Sequence, residues 1–169
     1  MLKAPDKPPS WRFLIKHPAY LIACGFGSGL LPFASGTVAT LFAWGVFLIL
    51  SDMINREVLL VLFVILFIIG IWAAHKTGLD LGRADHGSIV WDEIVPFWIV
   101  LWYCPRNIAW QLIAFFLFRL FDILKPEPAR YIDRKIKNGL GVMCDDLVAA
   151  VYTILSLVGL QAIWTKLVL

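Results

Sequence analysis

Three long stretches of this chain hold no Asp, Glu, Lys or Arg: between Pro18 and Ser51, between Val58 and Ala74, and between Leu147 and Thr165. A segment that faces water needs charged side chains along its exposed surface, whereas one that faces lipid does not, so these gaps mark membrane-embedded segments. The composition agrees. Apolar residues make up 60% of the 169 and charged residues 16%, with a mean hydropathy of +0.81; soluble domains run at about 45–50% and about 25%. Eight Trp suit aromatic belts at the two bilayer interfaces. The length suits one domain: a basic, partly irregular tail over residues 1–18, then a membrane-embedded unit over 19–169. The tail is too long and Pro-rich for a signal-peptide n-region, and no small-x-small cleavage site closely follows. The net charge of +3 gives no ground for nucleic-acid binding. Cys24, Cys104 and Cys144 lack metal or redox spacing and read as packing residues.

The predicted fold class is all-α: a multi-pass membrane helical bundle of about four to five spans. Val38–Leu50 is a short first span and Val58–Ala74 the cleanest. Ile89–Cys104 and Asn107–Leu124 form a helical hairpin around Pro105-Arg106-Asn107, and Asp146–Thr165 is the last span. Ahead of them, CGFGSGLLPFASGT (Cys24 to Thr37) is too rich in Gly, and too interrupted by Pro32, for a regular spanning helix. Irregular backbone at membrane depth survives only where protein or water covers it, so this segment reads as re-entrant or interfacial. Five crossings with the N-terminus inside put eleven cations on one face (Lys3, Lys7, Arg12, Lys16, Lys76, Arg83 and five from Lys125 to Lys137) against Arg56, Arg106 and Lys166 on the other. The positive-inside rule makes the first face cytoplasmic.

That topology brings Asp85, Asp92, Glu93, Asp122, Asp145, Asp146 and the glycine-rich segment to one interface. Carboxylates beside hydrocarbon are costly unless something positive meets them. A hard divalent cation such as Mg²⁺ takes oxygen ligands, and acids from three helix ends could supply them. Each acid also has a plain structural role open to it. Asp145 or Asp146 could cap a helix; Asp122, with Arg119 three before and Lys125 three after, could simply pair. Beside the first acid pair, Arg83 suits phosphate and His86 suits proton transfer, although an ordinary turn would look the same. GFGSG could offer backbone N–H groups to a phosphate or merely allow close helix packing.

A protein-borne nucleophile is not evident. The positions six after the three cysteines hold Leu30, Trp110 and Ala150 rather than Arg, no DxDx[TV] or HExxH motif occurs, and His17, His75 and His86 are dispersed. Metal-activated water is the simpler chemistry. The other class of function considered, a small cation transporter, predicts acids deep within two repeated halves; here they crowd one interface and no internal repeat is visible.

GFGSGLLPFASGT, ADHGSIVWDE, FRLFDILKPEPAR and NGLGVMCDDLVA resemble, in order and spacing, the motifs of the phosphatidylglycerophosphatase A family over roughly residues 20–155. The resemblance implies a Mg²⁺-dependent enzyme of the bacterial inner membrane that dephosphorylates phosphatidylglycerophosphate to phosphatidylglycerol. It further implies a metal site of Asp92, Glu93, Asp122, Asp145 and Asp146; of the acids, Asp85 or Asp145 is the expected general base. Gly27, Gly29, Thr37, Arg83, His86, Arg119 and Lys125 are the expected substrate-binding residues; Pro32 and Gly36 also occupy matched positions. The chain departs from the family pattern at Ser35, Pro96 and Glu127, none of them an expected ligand. The basic segment Lys125–Lys137 should attract anionic lipid, at about 1 kcal/mol per cation near the surface.

Overall fold

The computed structural model describes residues 7–168, and no strand occurs among them. The elements are α1 (Trp11–Leu14), α2 (Pro18–Ala23), a 3₁₀ turn (Gly25–Leu30), α3 (Ser35–Met53), α4 (Arg56–Asp80), α5 (Trp91–Tyr103), α6 (Ile108–Leu124), α7 (Ala129–Lys135) and α8 (Gly139–Val168). Of the expected tail, residues 1–6, Lys3 among them, lie outside the described residues. Its remainder docks: Leu14 is buried, and Phe13 stacks on Tyr20 with ring centroids 4.1 Å apart.

The charge-free runs become long helices. α3, α4 and α8 are each long and apolar enough to cross a membrane. Many of their large apolar side chains point outward, including Val61, Val64 and Ile68 of α4 and Val151 and Leu155 of α8. A face of that size would be an aggregation hazard in water and is the natural surface in lipid.

α5 is the hub. It has only 13 residues, about 20 Å of helix, and packs against α8, α3 and α4. Nine of those 13 are buried, which explains why it is apolar on every side. Three tryptophans tie the bundle together here rather than joining an interfacial belt. Trp98 donates its indole N–H to the Ala43 carbonyl (2.8 Å), Trp91 to Leu66 (3.1 Å), and Trp44 to the Gln111 side chain (2.8 Å). A buried indole N–H must find an acceptor, and neighbouring helices provide one.

The last helix starts earlier than expected, at Gly139 instead of Asp146. Asn138 caps it, its side-chain oxygen accepting from the backbone N–H of Leu140 (3.0 Å) and Gly141 (3.1 Å). Gly139 itself presses against the Ile71 carbonyl and the His75 backbone nitrogen of α4, where a side chain would not fit. Asp145 and Asp146 therefore lie two turns inside α8, and the helix-cap reading of that pair is excluded. The glycine-rich segment is irregular as expected, with positive φ at Gly25, Phe26, Gly27 and Ala34.

A candidate metal and phosphate site at one end of the bundle

Four helices present polar groups to the same place. α5 contributes Asp92 and Glu93 from its first turn, α6 contributes Arg119 and Asp122 near its C-terminus, α8 contributes Asp145 and Asp146, and α3 contributes Gly36 and Thr40. One carboxylate oxygen each from Glu93, Asp122 and Asp146 lies within 4.8 Å of the others, so the three could hold a metal ion.

Arg119 ties the cluster together. Its Nη1 is 3.1 Å from Glu93 Oε1 and 2.7 Å from Asp122 Oδ2, with all three side chains about 85–90% buried. It also donates to Thr40 Oγ1 (3.4 Å), and that hydroxyl donates to the Gly36 carbonyl (2.8 Å). Gly36 lies so close to Glu93 that any Cβ would overlap the carboxylate. The start of α3 thus supports the Glu93–Arg119 pair.

Lys125 does not pair with Asp122, as its spacing suggested. It adopts a left-handed conformation at the end of α6 and donates to Asp145 Oδ2. Burial alone would lower the pKa of its ammonium; the Asp145 carboxylate outweighs that and holds it above the ordinary lysine range.

The remaining polar atoms point to a ligand. Asp92 Oδ1, Glu93 Oε2 and Arg119 Nε are buried with no hydrogen-bond partner. Buried polar groups are nearly always satisfied, so two orphaned carboxylate oxygens beside a three-carboxylate cluster fit a hard cation and its oxygen ligands. The orphaned Arg119 N–H fits an anion in the same place.

The other expected site residues lie in different surroundings. Asp85, half-buried in the α4–α5 connection, is an electrostatic neighbour of Asp92, Glu93, Asp145 and Lys125. His86 is buried and turned into its own loop, where Nδ1 accepts from the Ser88 backbone N–H (3.2 Å). Arg83 lines a cavity between α4 and the start of α8. Thr37 is half-buried on the first turn of α3. The glycine turn corrects an expectation: the N–H groups of Gly27 and Gly29 both donate to the Cys24 carbonyl (3.0 and 3.1 Å), so neither is presented to a phosphate. Gly29 instead lets the turn lie against the Ser88 backbone.

Two of the three departures also have local explanations. Ser35 donates to the Gly87 carbonyl (2.7 Å), joining α3 to the α4–α5 connection, and Glu127 accepts from the Tyr131 backbone N–H (3.0 Å). Pro96 lies within α5 and removes the N–H that would bond to the Asp92 carbonyl. Thr40 is the residue that sequence reading missed. It is the lone hydroxyl on the buried stripe Ala39, Ala43, Trp44 and Phe47, four positions after Gly36, a spacing that places both on one helix face.

The family model described as Phosphatidylglycerophosphatase A matches residues 21–161. The Phosphatidylglycerophosphatase A of Haemophilus influenzae is 43% identical over 158 residues, covering 92% of this chain and 96% of the relative. That of Escherichia coli is 41% identical over 142 residues, covering 83% and 81%. A Bacteroides thetaiotaomicron protein, provisionally named a phosphatidylinositol-3-phosphatase, is 40% identical over 149 residues, covering 82% and 92%. No solved structure matches the chain.

Proposed function

The chain belongs to the phosphatidylglycerophosphatase A family, and from that premise we propose that it hydrolyses the terminal phosphomonoester of phosphatidylglycerophosphate, leaving phosphatidylglycerol in the membrane. The observation that carries this reading is the grouping of Glu93, Asp122 and Asp146 beside the unpartnered oxygens of Asp92 and Glu93. Those residues would hold Mg²⁺, with Asp92 as the adjoining ligand. When bound, such a cation neutralises phosphoryl charge and makes its water more acidic.

The chain's own groups do the rest. Arg119 offers its unpartnered Nε–H to a phosphoryl oxygen, and its contacts to Glu93, Asp122 and Thr40 fix where that N–H points. Asp85 takes the proton of the attacking water at a carboxylate oxygen. Asp145 is the weaker choice for that task because Lys125 already holds it. In hydrolysis the water oxygen bonds to phosphorus, the bond from phosphorus to the glycerol oxygen breaks, and the released alkoxide takes a proton.

The membrane-embedded phosphatase unit spans residues 19–169, with 1–18 as a basic tail. α3, α4, α5, α6 and α8 make five crossings of the bacterial inner membrane, and the carboxylate end faces the cytoplasm. Support for the orientation comes from the cation asymmetry. α5 and α6 are short for spanning, about 20 and 26 Å against roughly 30 Å of hydrocarbon, and α5 is shielded from lipid by its neighbours. A site at that depth lets a substrate keep its acyl chains in the bilayer.

The test is phosphate release from phosphatidylglycerophosphate by purified protein with Mg²⁺, with EDTA, and by Asp146→Asn. Loss of activity in the last two is expected; activity surviving both would refute the metal site. Cysteine labelling should find position 134 accessible from the cytoplasm and position 106 from the other side, and the reverse pattern would overturn the topology.

A further inference from the structure

Two adjoining cavities follow the crossing of α4 and α8. One, of about 270 Å³, is lined by His75, Gly78, Gly82, Arg83, Lys137 and Asn138 among others. The second, of about 330 Å³, is lined by Ile68, Ile71, Trp72 and Leu140. His75, Asn138 and Gly139 border both, and none of the clustered carboxylates lines either. The close approach of Gly139 to the Ile71 and His75 backbone is what brings the two helices together there.

The two cavities differ in polarity, and their order along α4 carries the inference. Ile68, Ile71 and Trp72 come first, His75 next, then Gly78 on the last turn and Gly82 and Arg83 just beyond the helix end. Over about 20 Å the lining passes from mainly apolar to basic. That gradient matches an amphiphile lying along the helix, acyl chain first and charged head after. Ile68 and Trp72 are 61% and 50% exposed, so the apolar part opens sideways toward lipid rather than into the protein. At the other end, Arg83 brings a guanidinium suited to phosphate oxygens and Lys137 a second cation. Both cations already neighbour one carboxylate: Lys137 pairs with Asp133 at 3.0 Å and Arg83 lies in the field of the same group, but the Lys137 contact is exposed, and such pairs are weak enough for a phosphate to compete. Nothing stands over the Gly82 Cα, which leaves the backbone there open.

We propose that this double cavity binds one intact anionic phospholipid without turning it over. The headgroup phosphate lies among His75, Arg83 and Lys137, and an acyl chain lies along Ile68, Ile71, Trp72 and Leu140. The proposal goes beyond the phosphatase reading, since the bound lipid is a resident of a second site. A soluble phosphate would use only the basic half and leave the apolar half without a role, so the occupant is the lipid.

Trp72 reports on it directly. Full-length protein would be placed in phosphatidylcholine nanodiscs carrying an equal fraction of brominated phosphatidylglycerol or brominated phosphatidylcholine. Quenching of Trp72 is read as the difference from Trp72→Phe. The anionic lipid is expected to quench several-fold more than the zwitterionic one. His75→Glu, a change at an exposed helical position, and Lys137→Gln should each bring that ratio toward one. Equal quenching by both lipids in the unsubstituted protein, or an unchanged ratio in both variants, would overturn the proposal. So would relief of quenching by soluble glycerol phosphate, which would assign the pocket to free phosphate. Phosphate release by His75→Glu at saturating substrate should stay close to the unsubstituted rate, and its collapse would merge this cavity with the phosphatase site and end the proposal. Should the unsubstituted protein release no phosphate while the lipid preference holds, the phosphatase reading fails and the lipid site stands.

Discussion

At the end of the bundle where α3 and α5 begin, Arg119 lies between Glu93 and Asp122 with about 14% of its side chain exposed. At the opposite end, Arg106 reaches the Ser51 carbonyl (2.6 Å) and Asp52 (3.5 Å) with 72% of its side chain exposed. Beside it, Arg56 donates to the Trp102 carbonyl (3.1 Å), and the Trp102 indole donates back to the Arg56 carbonyl (2.9 Å). The same chemical groups thus serve two purposes. The exposed arginines satisfy carbonyls at the helix connections and keep water around their charge. The buried one sits among more carboxylates than it can neutralise, with polar atoms of the cluster left unpartnered. Stability alone gives no reason for that second arrangement, because burying charge costs more than a hydrophobic replacement would; the proposed binding of a cation and a phosphate does.

The sharpest way to break this contrast is Arg119→Met. It strands Glu93 and Asp122, and removing one partner of a buried pair costs about 3–5 kcal/mol; detergent-solubilised protein should show this as a large fall in unfolding midpoint, together with loss of phosphate release. Asp122→Asn keeps the volume and removes one charge, so phosphate release should fall by about 10²–10³-fold, as when one electrostatic contributor is deleted. A near-normal rate would remove Asp122 from the site. Thr40→Val leaves both the Gly36 carbonyl and an Arg119 N–H without the hydroxyl, at about 1–3 kcal/mol, whereas Thr40→Ser should retain most of the stability and activity. If Val and Ser behave alike, the hydroxyl does not position Arg119. Arg106→Ala at the far end is expected to cost only about 0.2–1 kcal/mol and to leave phosphate release unchanged; a strong effect on activity would mean the two ends are not independent.

Much of this was legible in the residue order. The charge-free runs gave the helices, and the acid pairs next to apolar segments gave Asp92, Glu93, Asp122, Asp145 and Asp146 as the residues to watch. What pattern could not separate was the role of each acid. Asp145 and Asp146 are neighbours in sequence, but successive positions on a helix point about 100° apart. One therefore turns to Lys125 and the other to Glu93 and Asp122. Thr40 escaped notice because a lone hydroxyl in an apolar run resembles a tolerated helix residue until its neighbour across the bundle is known. The glycine turn misled in the other direction: Gly-rich backbone suggested free N–H groups, and folding directed those of Gly27 and Gly29 to Cys24.

By itself the sequence determined that this chain forms apolar helices with its acids at their margins, because lipid tolerates neither exposed backbone nor stray charge. Only the tertiary structure decided which acids share a site, that Arg119 and Thr40 support them, and that α8 begins far enough ahead of Asp145 and Asp146 to carry both inside the bundle. Those outcomes depend on helix rotation and on close approaches at Gly36 and Gly139. Both are properties of packing between segments distant in the chain, where local sequence has no say.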